Sequence, residues 1–291
     1  MELHPDQLSA LVAVVDLGTF EAAARQLRVT PSAISQRMKA LESSVGRVLL
    51  TRSKPVRATE SGEIVLRLAR QVALLHADAE RSLEGEEVDV TTMPLAINAD
   101  SLATWALPAL AEVATRHRLV FDLYREDQAH TTELLRQGTV MGAVTSEPTA
   151  VQGCSVRSIG RMRYRPMASP AFAERWFASG ATTESFAVAP LVEFDRRDTL
   201  QQRYLDRRTA AGVHPPRHYI PTSVDFASAV MLGLGWGMLP DAQCVEEERA
   251  GLLVQLDPGA ETIVPLYWQQ WRLESASLSA VADALSNAAP R

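Results

Sequence analysis

Ser32, Ser35, Gln36 and Lys39 stand at positions i, i+3, i+4 and i+7 of the run "TPSAISQRMKALE", which places them on one side of a helix if the run is helical. That side carries hydroxyl, amide and ammonium groups and is nearly free of acids. Ile34, Met38 and Leu41 fall at i, i+4 and i+7 on another side and supply an apolar face. Ser, Gln and Arg side chains at this spacing can hydrogen-bond the edges of base pairs in a major groove, and Lys and Arg can neutralise phosphates. Thr30, Pro31, Ser32, Ser35, Gln36, Arg37 and Lys39 are therefore candidate contacts to double-stranded DNA. Arg52, Lys54 and Arg57, a little further on, are candidate backbone contacts.

The flanking sequence supplies the elements that would hold such a face. Leu8, Leu11, Val12 and Val15 recur at helical spacing over residues 6–17, and Gly18 stops that helix. Thr19 is a natural N-cap for a second helix, Phe20 to Leu27, whose Ala22, Ala23 and Ala24 allow a close helix crossing. Thr30 caps a third helix, Pro31 takes its first position, and Gly46 ends it. Two helices joined by a short turn form a helix-turn-helix. Val48 to Arg52 and Pro55 to Thr59 predict a β-hairpin, or wing. A long helix then runs from Thr59 to about Gly85, and Val65, Leu68, Val72, Leu75 and Ala79 on it predict a coiled-coil seam and hence a homodimer. A solvated helix pair without a ligand would share part of this pattern.

Charge is distributed unevenly. The 291 residues carry a formal net charge of −6, with 46% hydrophobic and 22% charged residues, which is ordinary for a soluble chain of two or three domains. Between Arg25 and Arg57, however, eight Lys or Arg face a single acid, Glu42. A basic head on an acidic body follows. Cys154 and Cys244 are far apart and have no metal-ligand spacing, so reduced thiols, no metal and no cofactor are expected. There is no signal-peptide pattern and no apolar run of about 20 residues, so a cytoplasmic protein without a membrane segment is expected. No G-x-S-x-G elbow, H-E-x-x-H, P-loop or dinucleotide fingerprint is present, which argues against an enzyme. After an acidic stretch, residues 84–94, short apolar strands alternate with helices, predicting a mostly parallel α/β body.

"FEAAARQLRVTPSAISQRMKALESSVGRVLLTRSKPVRATESGE" resembles the winged helix-turn-helix of LysR-type transcriptional regulators, and the order of parts resembles that family along the whole chain. "INADSLATWALPAL", "EDQAHTTELLRQGTVMGAVTSE", "GLGWGMLP" and "PLYWQQWRLES" resemble its LysG/ArgP group. The resemblance implies an α/β fold overall: a head (1–59), a linker dimerisation helix and hinge (60–92), and a two-lobed effector domain of periplasmic-binding-protein type (93–291). One lobe would span about 93–160 and 270–291, the other about 166–266, with "RMRYRPMAS" and "PLYWQQWRLE" crossing between them. It also implies a homodimer or homotetramer, RNA polymerase as a partner, and a basic amino acid as effector: lysine, with arginine or histidine as alternatives. The implied function is control, by activation, of an amino-acid exporter gene. The alternatives are an architectural or replication-inhibiting DNA-binding protein that needs no effector, and an amino-acid receptor with a vestigial head.

A basic amino acid brings a carboxylate, an α-ammonium and a second cation. Helix N-termini with Ser101, Thr222 and Ser223 suit the carboxylate. Asp100, Glu126, Asp127, Asp195 and Asp225 suit the cations, with Asp127 the first choice. Thr145 sits at a strand end, His130 is a candidate that also reads as a helix-start or surface residue, and Trp236 could cover the aliphatic stem. Each also has a plain reading, as a helix cap, a solvated loop acid or a core aromatic.

Overall fold

The computed structural model describes residues 2–51, 53–84, 90–125, 128–209 and 212–291, and only the backbone of residues 81, 82, 84 and 128–130. The head begins with α1 (Pro5–Leu17), α2 (Phe20–Gln26) and α3 (Pro31–Val45). Each boundary has a local cause. Gly18 and Gly46 end α1 and α3 in the left-handed region, at φ 72° and 71°. Thr19 and Thr30 accept the amides of Ala22 and Ala33. Leu11, Val14, Ala23, Ala24, Ile34, Met38, Leu41 and Leu49 close one core between the three helices.

The wing is smaller than a hairpin. One antiparallel bridge, Leu50 to Ala58, is all the strand pairing it has among the described residues. Two further backbone bonds, from the Thr51 amide to the Arg57 carbonyl at 2.8 Å and from the Thr59 amide to the Leu49 carbonyl at 2.9 Å, and two side chains hold it. Glu42 Oε1 accepts the amide of Leu49 at 2.8 Å, and Thr59 donates to the carbonyl of Val48 at 2.8 Å.

The linker helix α4 (Glu60–Glu84) follows, with Thr59 accepting the Gly62 amide at 3.0 Å. Its apolar residues divide differently from the predicted seam. Val65, Leu66 and Ala69 complete the head core, and Val72 packs against it. Leu74 belongs to the core of the next domain. Ile64, Leu68, Leu75 and Leu83 remain exposed on one side. Val65 and Val72 of the predicted seam therefore turn to the head core, while Leu68 and Leu75 stay on the exposed side with Ile64, because one face of α4 is taken by the head.

The body contains β1 (Thr91–Ile97), α5 (Ala99–Ser101), a π-helical turn (Leu102–Ala106), α6 (Leu107–His117), β2 (Leu119–Tyr124), α7 (Gln128–Gln137), β3 (Gly142–Thr145) and β4 (Cys154–Ala168). Next come α8 (Pro170–Trp176), α9 (Thr183–Val188), β5 (Leu191–Glu193), α10 (Leu200–Arg208), β6 (Arg217–Tyr219), α11 (Ser223–Met231) and β7 (Gly237–Pro240). A 3₁₀ turn (Asp241–Gln243), α12 (Val245–Arg249), β8 (Val254–Gln255), β9 (Thr262–Trp271) and α13 (Ala276–Ala288) complete it. A seven-stranded sheet runs β2-β1-β3-β9-β4-β7, with β8 beside β4, and β5 and β6 form a second sheet.

The sheet is mixed rather than mostly parallel. β1 pairs in parallel with β2 and β3, as helix crossovers require, but β3–β9, β4–β9 and β4–β7 are antiparallel. The reason is the pair β4 and β9, matched from Cys154↔Trp271 to Tyr164↔Thr262. One carries the chain out of the first lobe (β1–β3, α5–α7, α13) and the other brings it back, so they must run in opposite senses. The apolar core continues across this pair, from Met93 and Leu95 through Met162 and Tyr164 to Phe186 and Trp236.

Candidate functional site

On α3 the exposed side carries Ser32, Gln36 and Lys39. These three stand one and two turns apart and have the donors and acceptors that base edges and phosphates require. Their neighbours on α3 and in its cap are committed elsewhere. Ser35 is half-buried and donates its hydroxyl to the carbonyl of Pro31 at 3.0 Å. Arg37 is paired with Asp6 of α1 at 2.8 Å, and Thr30 is the cap described above. Lys54 and Arg57 are exposed on the wing, whose Val56 amide bonds the carbonyl of Gly18 at 2.8 Å, holding the wing against the head. Arg52 lies outside the described residues.

The second site is a cleft of about 990 Å³ between the lobes. Asp100, Thr145 and Asp195, all singled out from sequence, line it. Asp100 enters because Asn98 caps α5 through the Ser101 amide at 2.9 Å, turning the next carboxylate toward the lobe boundary. There Asp100 Oδ2 accepts the Tyr164 hydroxyl at 2.7 Å and Oδ1 accepts the Ser223 hydroxyl at 2.6 Å. Gln243 Nε2 donates to that same Ser223 oxygen at 2.9 Å. Burial, then the negative charge of Asp100 and their hydrogen bond, hold the Tyr164 hydroxyl well above its ordinary pKa, so it stays a donor.

Asp198 is the acid that sequence reading missed. Its carboxylate accepts the amides of Leu200 at 2.9 Å and Phe194 at 3.3 Å, which aims the loop after β5 into the cleft. Burial raises its pKa; the two amides oppose this, and the charge of Asp100 adds to the rise. Asp100, Asp195 and Asp198 thus face one cavity, with Glu147 also in its wall. Thr131, Arg125 and Arg197 also line it, and Arg125 lies over the Phe194 ring at 6.0 Å, from one lobe to the other.

Other expectations are displaced. Trp236 is fully buried against Phe186 and Tyr204, with ring centroids 5.0 and 5.8 Å away, and covers no ligand. The glycines beside it explain this: a Cβ on Gly235 would meet the Pro190 carbonyl oxygen at 2.8 Å, so the backbone is pressed against the core. Ser101 is buried with its hydroxyl 3.7 Å from the Met162 sulfur. Thr222 and Asp225 cap each other at the start of α11 instead of lining the cleft. Glu126 and Asp127 lie outside the described residues, as does the side chain of His130. Tyr164 was within reach of sequence reading, since alternation along "RMRYR" turns Met162 and Tyr164 to one side.

Among the described residues no group of three His, Cys, Asp or Glu could hold a metal ion, and no helix is long and apolar enough to cross a membrane.

Comparison with known proteins places both sites in context. Residues 5–63 match the family described as bacterial regulatory helix-turn-helix protein, lysR family, and residues 91–290 match the LysR substrate binding domain. The chain is 45% identical over 290 residues to the lysine export transcriptional regulatory protein LysG of Corynebacterium efficiens, covering 99% of this chain and 98% of that one. The crystal structure of ArgP from Mycobacterium tuberculosis is 41% identical and superposes with a TM-score of 0.87 over 99% of this chain and 97% of that one. Full-length LysG from Corynebacterium glutamicum with bound effector arginine is 40% identical, with a TM-score of 0.79 over 98% and 97%. A helix-turn-helix head, a linker helix and a two-lobed body are thus shared along the full length, and the chain belongs to the LysR family of bacterial transcriptional regulators.

Proposed function

We propose that this regulator senses a basic amino acid, lysine or arginine, in the inter-lobe cleft and controls, by activation, a gene for amino-acid export. One observation carries the reading. Asp100 and Asp198 face the same cavity, and the charge of the first helps to raise the pKa of the second. Two like charges in a partly dry site favour a cation between them. Thr131, Thr145 and the Arg125 guanidinium offer the donors that the α-carboxylate needs, and Asp195 an acceptor for the second cation. The relatives named for lysine export and the relative with bound arginine support the same ligand class.

The proposed domains are the head to residue 59, the linker to 92 and the effector domain beyond it, with lobes at about 93–160 plus 270–291 and about 166–266. Ser32, Gln36 and Lys39 enter the major groove, and Lys54, Arg57 and Arg52 follow the phosphates. Thr30 and Pro31 set the start of the helix, and Ser35 and Arg37 hold its position. Two heads pair through the exposed side of α4, as a homodimer or a pair of dimers, and read half-sites about one helical turn or a multiple apart. The protein acts on DNA in the cytoplasm and presents it to RNA polymerase. The ligand works through unequal affinity for two lobe arrangements. A thermal-shift screen of the twenty amino acids tests this: lysine or arginine stands out, whereas a flat profile refutes the effector reading.

A further inference from the structure

A second cavity, of about 550 Å³, also takes its walls from both lobes. Thr104, Trp105 and Pro290 come from the first lobe, and Asp241 and Ala242 from the turn after β7 in the second. Pro240 and Ile263 stand in the walls of both cavities, so the crossing strands divide one from the other. Alternation along β4 accounts for the division: Tyr164 lines the cleft, whereas Arg161 and Arg163 line the second cavity. The helix that begins at α5 serves both. Asp100 is in the cleft, and a turn further on Thr104 and Trp105 are in the second cavity, carried there by the π-helical turn. Such turns are rare and collect at functional sites.

The wall is apolar on one side and holds two weakly committed charges. Trp105 and Ile263 supply apolar surface, and Ile263 is 50% exposed although it stands on a crossing strand. Asp241 is taken: it pairs with Arg163 at 2.5 Å and with Arg165 at 3.0 Å. Glu261 has Arg163 at 3.8 Å as its one ion pair among the described residues. Arg161 is exposed, and among the described residues its guanidinium makes no ion pair or hydrogen bond. Its backbone is fixed, since the Arg161 amide donates to the carbonyl of Pro290 at 2.8 Å. Arg161 and Arg163 stand two positions apart on one face of β4, about 7 Å along the strand, with Glu261 beside the second. A carboxylate and an ammonium on one carbon, each making a hydrogen bond of about 2.9 Å, bridge a gap of that order. The wall therefore has a donor for one carboxylate and an acceptor for one ammonium, but no acid left for a second cation. An apolar cavity of this size with a few convergent polar groups is the usual make-up of a small-ligand site.

We propose that this second cavity binds an α-amino acid with an apolar side chain, such as leucine or phenylalanine, with its carboxylate on Arg161, its ammonium on Glu261 and its side chain against Trp105 and Ile263. The cleft and this cavity then take amino acids of different kinds, because the cleft has acids to spare and this cavity has none. The proposal stands apart from the reading of the cleft given above.

The test uses the full chain as wild type, Arg161→Ala and Ala242→Trp. Both positions are exposed, so neither change disturbs a core. Each protein is titrated by calorimetry with L-leucine, L-phenylalanine and 4-methylpentanoate, which is leucine without its ammonium, in the absence and presence of excess arginine. The wild type binds one leucine or one phenylalanine per chain. Affinity falls about tenfold or more in Arg161→Ala, which loses a charge-assisted hydrogen bond. It is lost in Ala242→Trp, whose indole fills the cavity. 4-Methylpentanoate binds about fivefold or more weakly than leucine, having nothing to give Glu261. Excess arginine leaves the leucine affinity within about threefold, because the two ligands occupy different cavities. Failure of both amino acids to bind the wild type, unchanged affinity in Arg161→Ala, equal affinities for leucine and 4-methylpentanoate, or displacement of leucine by arginine overturns the proposal.

Discussion

The hydroxyl of Ser223, at the start of α11 in the second lobe, donates to Asp100 Oδ1 in the first lobe at 2.6 Å. That bond closes the cleft with a donor where an ammonium or guanidinium would fit. Under the proposed function a cationic ligand would reach Asp100 only by sharing or replacing Ser223, which would couple binding to lobe geometry through one carboxylate. The carboxylate proposed for the ligand is also the one that bonds across the lobes.

On α3, the proposed DNA contact gives Gln36 and Lys39 different tasks. Gln36→Ala costs about 1–3 kcal/mol at one base pair and relaxes the preference there. Lys39→Ala weakens all sequences alike and lowers the slope of log K against log salt by about 1. Fluorescence anisotropy on an operator duplex and a scrambled duplex, at several salt concentrations, separates the two. A changed base preference in Lys39→Ala would show that the ammonium reads bases.

Gly62 is the last residue of "TESG", and the structure says why a glycine stands there. A Cβ on it would lie 2.0 Å from the Leu49 carbonyl oxygen, and Thr59 holds its amide. Gly62→Ala destabilises the head by about 1–3 kcal/mol as the wing is pushed off α4. Denaturant unfolding measures it, and an unchanged midpoint would mean that the wing yields freely.

The exposed side of α4 is a third test. Leu75 is 38% exposed and Leu83 86%. Leu75→Asp puts a charge in the seam and shifts the protein toward monomer with weaker DNA binding, as measured by sedimentation velocity at several concentrations. An unaltered sedimentation coefficient would move the interface elsewhere.

Asp198 gives a pH dependence of defined sign. Its folded pKa lies above the ordinary carboxylate value, with burial the chief cause. Between the two values the native state binds more protons than the unfolded one, so stability falls as pH rises through that window. The contribution is fully present below the ordinary carboxylate range and lost above the raised folded value. Asp198→Asn flattens this segment of the stability profile, although it also loses one acceptor for the loop amides. Because a cation favours the ionised form, arginine affinity rises with pH over the same window in the wild type and not in the variant. Thermal unfolding and calorimetry from pH 4 to 8 report both, and identical slopes in the two proteins would remove Asp198 from the site.

The head was legible because its signals are local. Gly18, Thr19, Thr30, Pro31 and Gly46 act within three residues of the boundaries they set, and the bonds from Thr19 and Thr30 span |i−j| = 3. The cleft was legible only in part because its central bond joins residues 123 apart in sequence. Asp100 could be chosen from its helix start, but not its partners Tyr164 and Ser223 as a set. Trp236 could be read from sequence either as a cover for an aliphatic stem or as a core aromatic, and its packing on Phe186 and Tyr204 decides for the core. Val65 misled because the face of α4 that it stands on is taken by the head core, not by the exposed side.

Titration of arginine into the wild type and Asp100→Ala by calorimetry tests the central claim most directly. The account predicts one binding event per chain in the wild type, its affinity lowered at least tenfold in Asp100→Ala, with operator binding by the variant retained. Equal arginine affinity in the two proteins, or no heat from either, would contradict it.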